Sequence, residues 1–130
     1  MIVDPFYTIE IRGDVAWTSM AGLWNHETSM DYLLRLDDMA NRIRNRPWGL
    51  LADLRDWEFI TQDGIIEGKE FNELKFSRKN QVAECWITDK QIYIKTLLRS
   101  SQLPEYVQFK AATDTREAID FLTGLGLSLE

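Results

Sequence analysis

The sequence predicts an α/β protein in which helices flank a mixed sheet of four to five strands. Three observations predict it: an alternating strand with a turn at the start of the chain, a fully apolar strand in the middle, and strand and helix patterns that alternate after that strand. The expected order is β-β-α-β-α-β-α-β-α. Because the 130 residues contain no repeat and no Pro/Gly-rich linker, we expect one domain, residues 1–130.

The chain begins with a pattern that is typical of a β-hairpin. The stretch FYTIEIRG alternates, so that Tyr7, Ile9 and Ile11 lie on one side of a strand and polar residues on the other. Gly13 and Asp14 then form a turn signal, and VAWTSMAGLWN is expected to return as the partner strand.

A long amphipathic helix is expected next, from about Ser29 to Arg46. Thr28 or Ser29 is its expected cap, Asp31 falls in the first turn, and Pro47 stops it. The three- and four-residue spacing of its apolar residues predicts a stripe of Leu33, Leu36, Ala40 and Ile43.

The stretch WGLLADLRDWEF (residues 48–59) changes abruptly from apolar to charged residues. Its apolar half predicts a parallel strand that is buried on both faces, and the charges predict the point where this strand leaves the sheet. Strand periodicity puts Asp53 and Arg55 on one face, where they can pair, and Asp56 on the opposite face. Ligands of open α/β sheets bind at such strand ends, so one hypothesis is acid–base catalysis by Asp53 and Asp56. The simpler hypothesis is an ion pair between Asp53 and Arg55.

The remaining elements follow from shorter patterns. The expected elements are a helix within residues 60–81, a strand at 82–88, a helix at 89–101, a strand at 106–112 and a helix from 114 onward. The core residues expected for the first of these helices are Ile66, Phe71 and Leu74. In the last helix, Asp114 and Glu117 have the spacing of a capping box, and Gly124 or Gly126 marks its end.

Composition excludes some classes of partner. Twenty-one acidic against fifteen basic residues give a net charge of -6, which repels nucleic acids and anionic membranes. The basic cluster of Arg42, Arg44 and Arg46 is attributed to the expected helix end, where cations complement the helix dipole.

The patterning of the chain predicts a cytoplasmic protein that does not cross a membrane. No signal-peptide pattern is evident, and no apolar run approaches the roughly 20 residues that span a bilayer. The single cysteine, Cys85, lies in an apolar run, which predicts a buried inert thiol in a reducing compartment.

Motifs for catalysis, metals and cofactors are missing from the sequence. His26 is the only histidine, its neighbours do not have zinc-site spacing, and no calcium-loop pattern occurs. No Gly-x-Ser-x-Gly elbow presents a serine nucleophile. We therefore expect no catalytic residue, no metal and no cofactor, and His26 is expected on the surface.

Three features together resemble the STAS/SpoIIAA-like superfamily: a hairpin before a long helix, the buried LLADL strand, and a polar turn with Asp63-Gly64 before a second helix. The tail KAATDTREAIDFL resembles the strand-then-helix ending of a bacterial subgroup described as STAS/SEC14-like. The resemblance covers nearly the whole chain. It implies a SpoIIAA-like fold and a role as a regulatory protein-interaction module of a bacterial cytoplasm.

The sequence departs from that superfamily at the turn after the buried strand. In the anti-sigma-factor antagonists this turn carries a phosphorylatable serine, and the resemblance places Gln62 at its position. Thr61 is the nearby hydroxyl, and Asp63 provides one permanent negative charge, which is less than a phosphate carries. A phosphoserine switch is therefore not expected at this turn.

Five tryptophans in 130 residues are the other notable feature. Most are expected in the core, but Trp24 and Trp57 fall at strand ends or turns. Exposed rings at these places indicate either a protein contact or the mouth of an apolar pocket.

The first functional hypothesis is a non-enzymatic interaction module with an unidentified protein partner, and a homodimer is also considered. Its surface is the strand-to-helix turn, with Trp57 and Phe59 as anchors. The residues of this surface are Arg55, Asp56, Trp57, Phe59, Thr61, Gln62, Asp63 and Gly64. The alternative is a carrier of a lipid or another apolar small molecule, with a pocket lined by Trp24, Trp57, Phe71 and Trp86. An enzyme that uses Asp53 and Asp56 comes third.

Overall fold

Five strands form one mixed sheet in the computed structural model, in the order β1-β2-β3-β4-β5. The strands are β1 (Phe6–Arg12), β2 (Val15–Leu23), β3 (Trp48–Glu58), β4 (Gln81–Ile87) and β5 (Gln108–Ala112). β1 and β2 are antiparallel, and the other neighbours are parallel. Helix α1 (His26–Ala40) connects β2 to β3, and helix α2 (Thr115–Gly124) follows β5. The mixed sheet flanked by helices confirms the predicted class.

The structure describes residues 4–58, 76–90, 94, 95, 98 and 103–130. The predicted helix within residues 60–81, including Ile66, Phe71 and Leu74, falls mostly outside these residues. Of the helix predicted at 89–101, Ile94, Lys95 and Leu98 are described and helical, whereas Asp89 and Lys90 are described and lie outside a helix. Among the described residues, no helix is long and apolar enough to cross a membrane.

The hairpin has the predicted alternation and turn. Tyr7, Ile9 and Ile11 are partly buried, while the residues between them are exposed. Arg12 pairs with Val15, so the loop consists of two residues. The first of them, Gly13, has a φ of +57°, as a glycine at the first position of a type II′ turn does.

Helix α1 begins three residues earlier than predicted and ends six residues earlier. Asn25 is the cap, since its side-chain oxygen accepts the Thr28 N–H at 2.9 Å, so the expectation of Thr28 or Ser29 as cap was wrong. The helix ends at Ala40, and turns follow up to Pro47. The stripe was placed correctly, because Leu36, Ala40 and Ile43 are buried and Leu33 packs against them.

Strand β3 is buried on both faces over its first half, as predicted, and separates two apolar cores. The α1-side core consists of Ala16, Trp24, Tyr32, Leu36, Ala40, Ile43, Trp48, Leu50, Ala52, Leu54, Trp57 and Trp86. The α2-side core consists of Val15, Leu51, Ala83, Cys85, Ile87, Ala112, Ala118, Leu122 and Leu127.

Helix α2 begins with the predicted capping box. Asp114 accepts the Glu117 N–H at 2.8 Å, and the Glu117 carboxylate accepts the Thr113 N–H at 3.3 Å. The helix ends at Gly124, and Gly126 follows with a φ of +86°. This left-handed residue is the usual means by which a helix is terminated.

The arginines that follow α1 fix the connection to β3. No basic residue lies in the last turn of α1, so the attribution of Arg42, Arg44 and Arg46 to the helix dipole was wrong. The Arg44 guanidinium is almost buried and donates to the Asp37 carboxylate at 2.5 Å and to the Ser77 carbonyl at 3.0 Å. It thereby links the end of α1 to the segment that enters β4.

Asp14, in the hairpin turn, contacts three other parts of the chain. Its N–H donates to the Ser128 carbonyl at 2.8 Å, and its carbonyl accepts the Gly49 N–H at 3.0 Å. Its carboxylate accepts the Ser128 N–H at 2.9 Å and the Arg46 Nε at 2.7 Å. The Ser128 N–H, followed by the Arg46 guanidinium, lowers the pKa of the Asp14 carboxyl below its ordinary value. We call this set of contacts the Asp14 hub.

Replacement of Asp14 by Asn is expected to lower the free energy of unfolding by about 2 kcal/mol at pH 7, because hydrogen bonds to a charged group are lost. The lowered pKa means that this contribution is complete above the unfolded-state pKa, near 4, and is lost as the pH falls through the folded-state pKa. Urea unfolding at pH 7 and pH 3 tests this. The difference in free energy of unfolding between wild type and Asp14→Asn should be smaller at pH 3 than at pH 7.

The control is Asp38→Asn, which removes the charge of an exposed residue of α1 and should leave stability unchanged. If wild type and Asp14→Asn differ in free energy of unfolding by the same amount at pH 7 and at pH 3, the stabilisation does not come from the charge of Asp14.

Candidate functional site

Strand β3 contains a bulge at the point where its charged residues begin. Ser19 of β2 pairs with Asp53, whereas Ala21, two residues later, pairs with Asp56, three residues later. The extra residue in β3 shifts the alternation of the strand. Leu54 and Trp57 consequently lie in the same core, although strict alternation would place them on opposite faces.

Trp57 is buried as a result of the bulge, with 2% of its surface exposed. Strand β3 continues to Glu58 and pairs with Leu23, so Asp56 and Trp57 lie in the strand and not in a turn. The expectation that Trp57 is an exposed anchor was wrong. Trp24 is also buried, its ring centroid lies 6.0 Å from that of Trp57 in an edge-to-face arrangement, and its indole N–H donates to the Ala21 carbonyl.

Asp53 and Arg55 form the predicted ion pair at the end of the buried part of β3. The Arg55 Nε lies 3.0 Å and its Nη2 2.7 Å from the two carboxylate oxygens of Asp53. The same Nη2 donates to the Thr115 hydroxyl at 3.0 Å, at the start of α2. Arg55 therefore joins the carboxyl end of β3 to the helix on the neighbouring face.

The electrostatics of this pair do not favour acid–base chemistry. Partial burial raises the pKa of Asp53, but the hydrogen bonds from the Arg55 side chain and backbone outweigh it, and the net shift is downward. Asp53 is thus ionised at neutral pH and has both oxygens engaged. A general acid would need a raised pKa instead.

Arg55 and Asp56 are the exposed residues of this region, with the exposed Glu58 beyond Trp57. The other residues of the predicted surface lie outside the described residues, and they are Phe59, Thr61, Gln62, Asp63 and Gly64. We call the exposed side chains of Arg55, Asp56 and Glu58 the β3-exit surface.

Of the predicted pocket residues, the structure describes Trp24, Trp57 and Trp86, and Phe71 lies outside it. All three belong to the α1-side core, and each is at most 5% exposed. The Trp86 ring packs edge to face on Phe109, with centroids 4.7 Å apart. Trp24 likewise lies edge to face against Trp57 and Tyr32.

A buried polar network was missed by the sequence analysis. Glu84, inside the apolar strand β4, accepts from Arg78 at 2.9 Å, from Gln81 at 2.9 Å and from the Trp86 indole at 2.9 Å. The Arg78 and Glu84 side chains are 9% and 3% exposed. A charged residue within the run VAECWI was the signal for this network, because a buried carboxylate requires partners.

Cys85 and His26 are the remaining chemical candidates of the sequence analysis, and the structure describes both. Burial raises the pKa of the Cys85 thiol to about 12, in agreement with the expected buried thiol. His26 is exposed, in the first turn of α1. Among the described residues, no group of three or more His, Cys, Asp or Glu side chains is placed to hold a metal ion.

Comparison with known proteins identifies the class of fold. No protein-family model matches the chain, and neither does any curated protein. The chain is similar to the crystal structure of an uncharacterized DUF3478-family protein with a SpoIIAA-like fold from Shewanella loihica PV-4. The TM-score is 0.59 at 18% sequence identity, over 91% of this chain and 93% of the other. The fold of the chain is therefore SpoIIAA-like, as the resemblance implied.

Truncation of Trp57 is expected to act on stability. Trp57→Ala removes a buried ring from the α1-side core and should lower the free energy of unfolding by about 3–5 kcal/mol. Asp56→Ala, at the exposed neighbouring position, should change it by less than about 0.5 kcal/mol. Denaturant unfolding measures both. Equal, small effects of the two changes would show that the Trp57 ring is exposed in solution.

Proposed function

We propose that the chain is a non-enzymatic, regulatory protein-interaction module of the SpoIIAA-like type that acts in a bacterial cytoplasm. Its contact region in this proposal is the β3-exit surface. The observation that carries the proposal is the bulge in β3, because it leaves Arg55 and Asp56 exposed side by side while Trp57 holds the strand in the core.

This arrangement suits recognition better than catalysis. Asp53 is occupied by Arg55, and Arg55 is itself held by Thr115, so the base of the surface is rigid. A preorganised surface loses less conformational entropy when a partner binds than a mobile one does. Trp57 therefore does not contact the partner in this proposal; it lies in the α1-side core and holds β3 in place.

The proposal does not include a phosphoserine switch. Gln62 stands where the superfamily resemblance places the phosphorylated serine, and an amide side chain cannot be phosphorylated. Regulation in this proposal therefore depends on the amount of the partner, and Asp56 contributes constant negative charge to the surface.

The test compares two variants with the same change in charge. Asp56→Arg is expected to abolish co-purification of a partner from cells of the source organism, because it reverses the charge in the centre of the β3-exit surface. Asp38→Arg makes the same reversal on exposed α1 and should retain the partner. Quantitative mass spectrometry of both samples measures the loss. A partner that is retained equally by both variants would contradict the proposed surface.

The alternative is a carrier of a lipid or another apolar small molecule. Against it stand the direct ring contacts among Trp24, Trp57 and their neighbours. A depression at β5 and α2 is also unsuited to an apolar ligand, because charged side chains form most of its lining, which consists of Lys110, Asp114, Arg116, Glu117, Asp120 and Phe121.

Native mass spectra before and after organic extraction discriminate between these functions. We expect identical masses in the two samples, since Trp24, Trp57 and Trp86 are each at most 5% exposed and lie against neighbouring rings. An adduct of lipid size that disappears on extraction would support the carrier instead. Denatured spectra of the same samples are the control for covalent modification.

A further inference from the structure

We propose that β1 pairs with β1 of a second copy of this chain, so that two sheets join into one across a two-fold axis. Within the part of the chain that the structure describes, β1 lies at the end of the strand order and pairs with β2 alone. Phe6, its first residue, is 60% exposed. An unpaired strand edge is a template for another strand. This inference concerns a different surface from the β3-exit surface and goes beyond the proposed function.

The geometry of the hairpin determines which backbone groups point away from β2. In a two-residue loop, the flanking residues Arg12 and Val15 form a hydrogen-bonded pair. Even-numbered residues of β1 therefore bond to β2. The N–H and C=O groups of Tyr7, Ile9 and Ile11 point to the open edge.

The same three residues determine the register of the pairing. A two-fold axis perpendicular to the sheet keeps each side chain on its own face, so odd-numbered residues pair with odd-numbered ones. When Ile9 lies opposite the partner's Ile9, Tyr7 lies opposite the partner's Ile11 and every outward N–H and C=O of these residues is paired. A shift by two residues places Ile11 opposite the partner's Pro5, which has no N–H to donate.

Side chains on the exposed face are complementary in this register. Thr8 lies opposite the partner's Glu10, where its hydroxyl can donate to the carboxylate, and each such pair occurs twice by symmetry. Phe6 lies opposite the partner's Arg12, whose guanidinium lies 4.2 Å from the centroid of the Trp17 ring of its own chain. Glu10 and Arg12 also neutralise each other at 3.1 Å. The edge is thus locally neutral although the chain carries a net charge of -6, and it avoids the repulsion that other surfaces impose on a second copy.

Sedimentation equilibrium of the purified protein over a range of concentrations tests the dimer. Wild type should associate reversibly. Thr8→Glu places two carboxylates directly opposite each other at both symmetric positions, so the dimer Kd should rise about tenfold or more. Thr8→Lys places an ammonium opposite each carboxylate and should lower the Kd. Both variants lose the same hydrogen bond to Ser19 and are matched in that respect.

A charge reversal at the opposing position tests the register. The double variant Thr8→Glu/Glu10→Lys restores opposite charges across the axis and should recover the wild-type Kd within about threefold. Circular dichroism of each variant checks that the fold is intact, which is expected because both positions are exposed.

A wild-type protein that is monomeric at every concentration would overturn the proposal. Equal shifts of the Kd in Thr8→Glu and Thr8→Lys would also overturn it, since the opposing Glu10 would then have no effect. Because no other protein is present, these outcomes are independent of whether the β3-exit surface binds a partner.

Discussion

The Asp14 hub is the constraint on which the arrangement of the sheet depends. One residue in a two-residue loop engages β3 through its carbonyl, the segment before β3 through Arg46, and the end of the described chain through Ser128. Gly13 makes this possible, because a Cβ at that position would lie 2.5 Å from the Ser128 carbonyl oxygen. The register of the hairpin, the start of β3 and the path of the C-terminal segment are thus fixed together.

Features that depend on neighbouring residues were predictable from the sequence. The alternation of β1, the Asp53–Arg55 pair and the capping box of Asp114 and Glu117 each depend on residues within a few positions of one another. The SpoIIAA-like fold was implied by the resemblance of the hairpin, long helix and buried strand to that superfamily, and the similarity to the DUF3478-family structure shows it. The boundaries of α1 were less predictable, because Asn25 competed with two other good caps.

Features that depend on distant residues were not predictable. The bulge in β3 arises from pairing with β2, more than thirty residues away, and a strand read by itself shows strict alternation. The sequence placed Asp56 and Trp57 where the strand was expected to end, whereas pairing with β2 continues β3 to Glu58. The network around Glu84 has a similar origin, because a carboxylate in an apolar strand shows that partners are needed but does not identify Arg78. In both cases only the folded structure identifies the pairing partners.

The closing of the Asp14 hub by Ser128 has a consequence for biosynthesis. Strands β1 to β5 are neighbours in the order of the chain, so each strand can add to the sheet as it leaves the ribosome. Asp14 is synthesised before β3, β4 and β5, yet two of its hydrogen bonds are made with a residue 114 positions later. A nascent chain can therefore assemble its strands in order and make the hub contacts of Asp14 with Arg46 and Gly49 first, but the two hydrogen bonds to Ser128 form only after that residue has emerged. The hairpin turn is thus attached to β3 early in synthesis and to the C-terminal segment last.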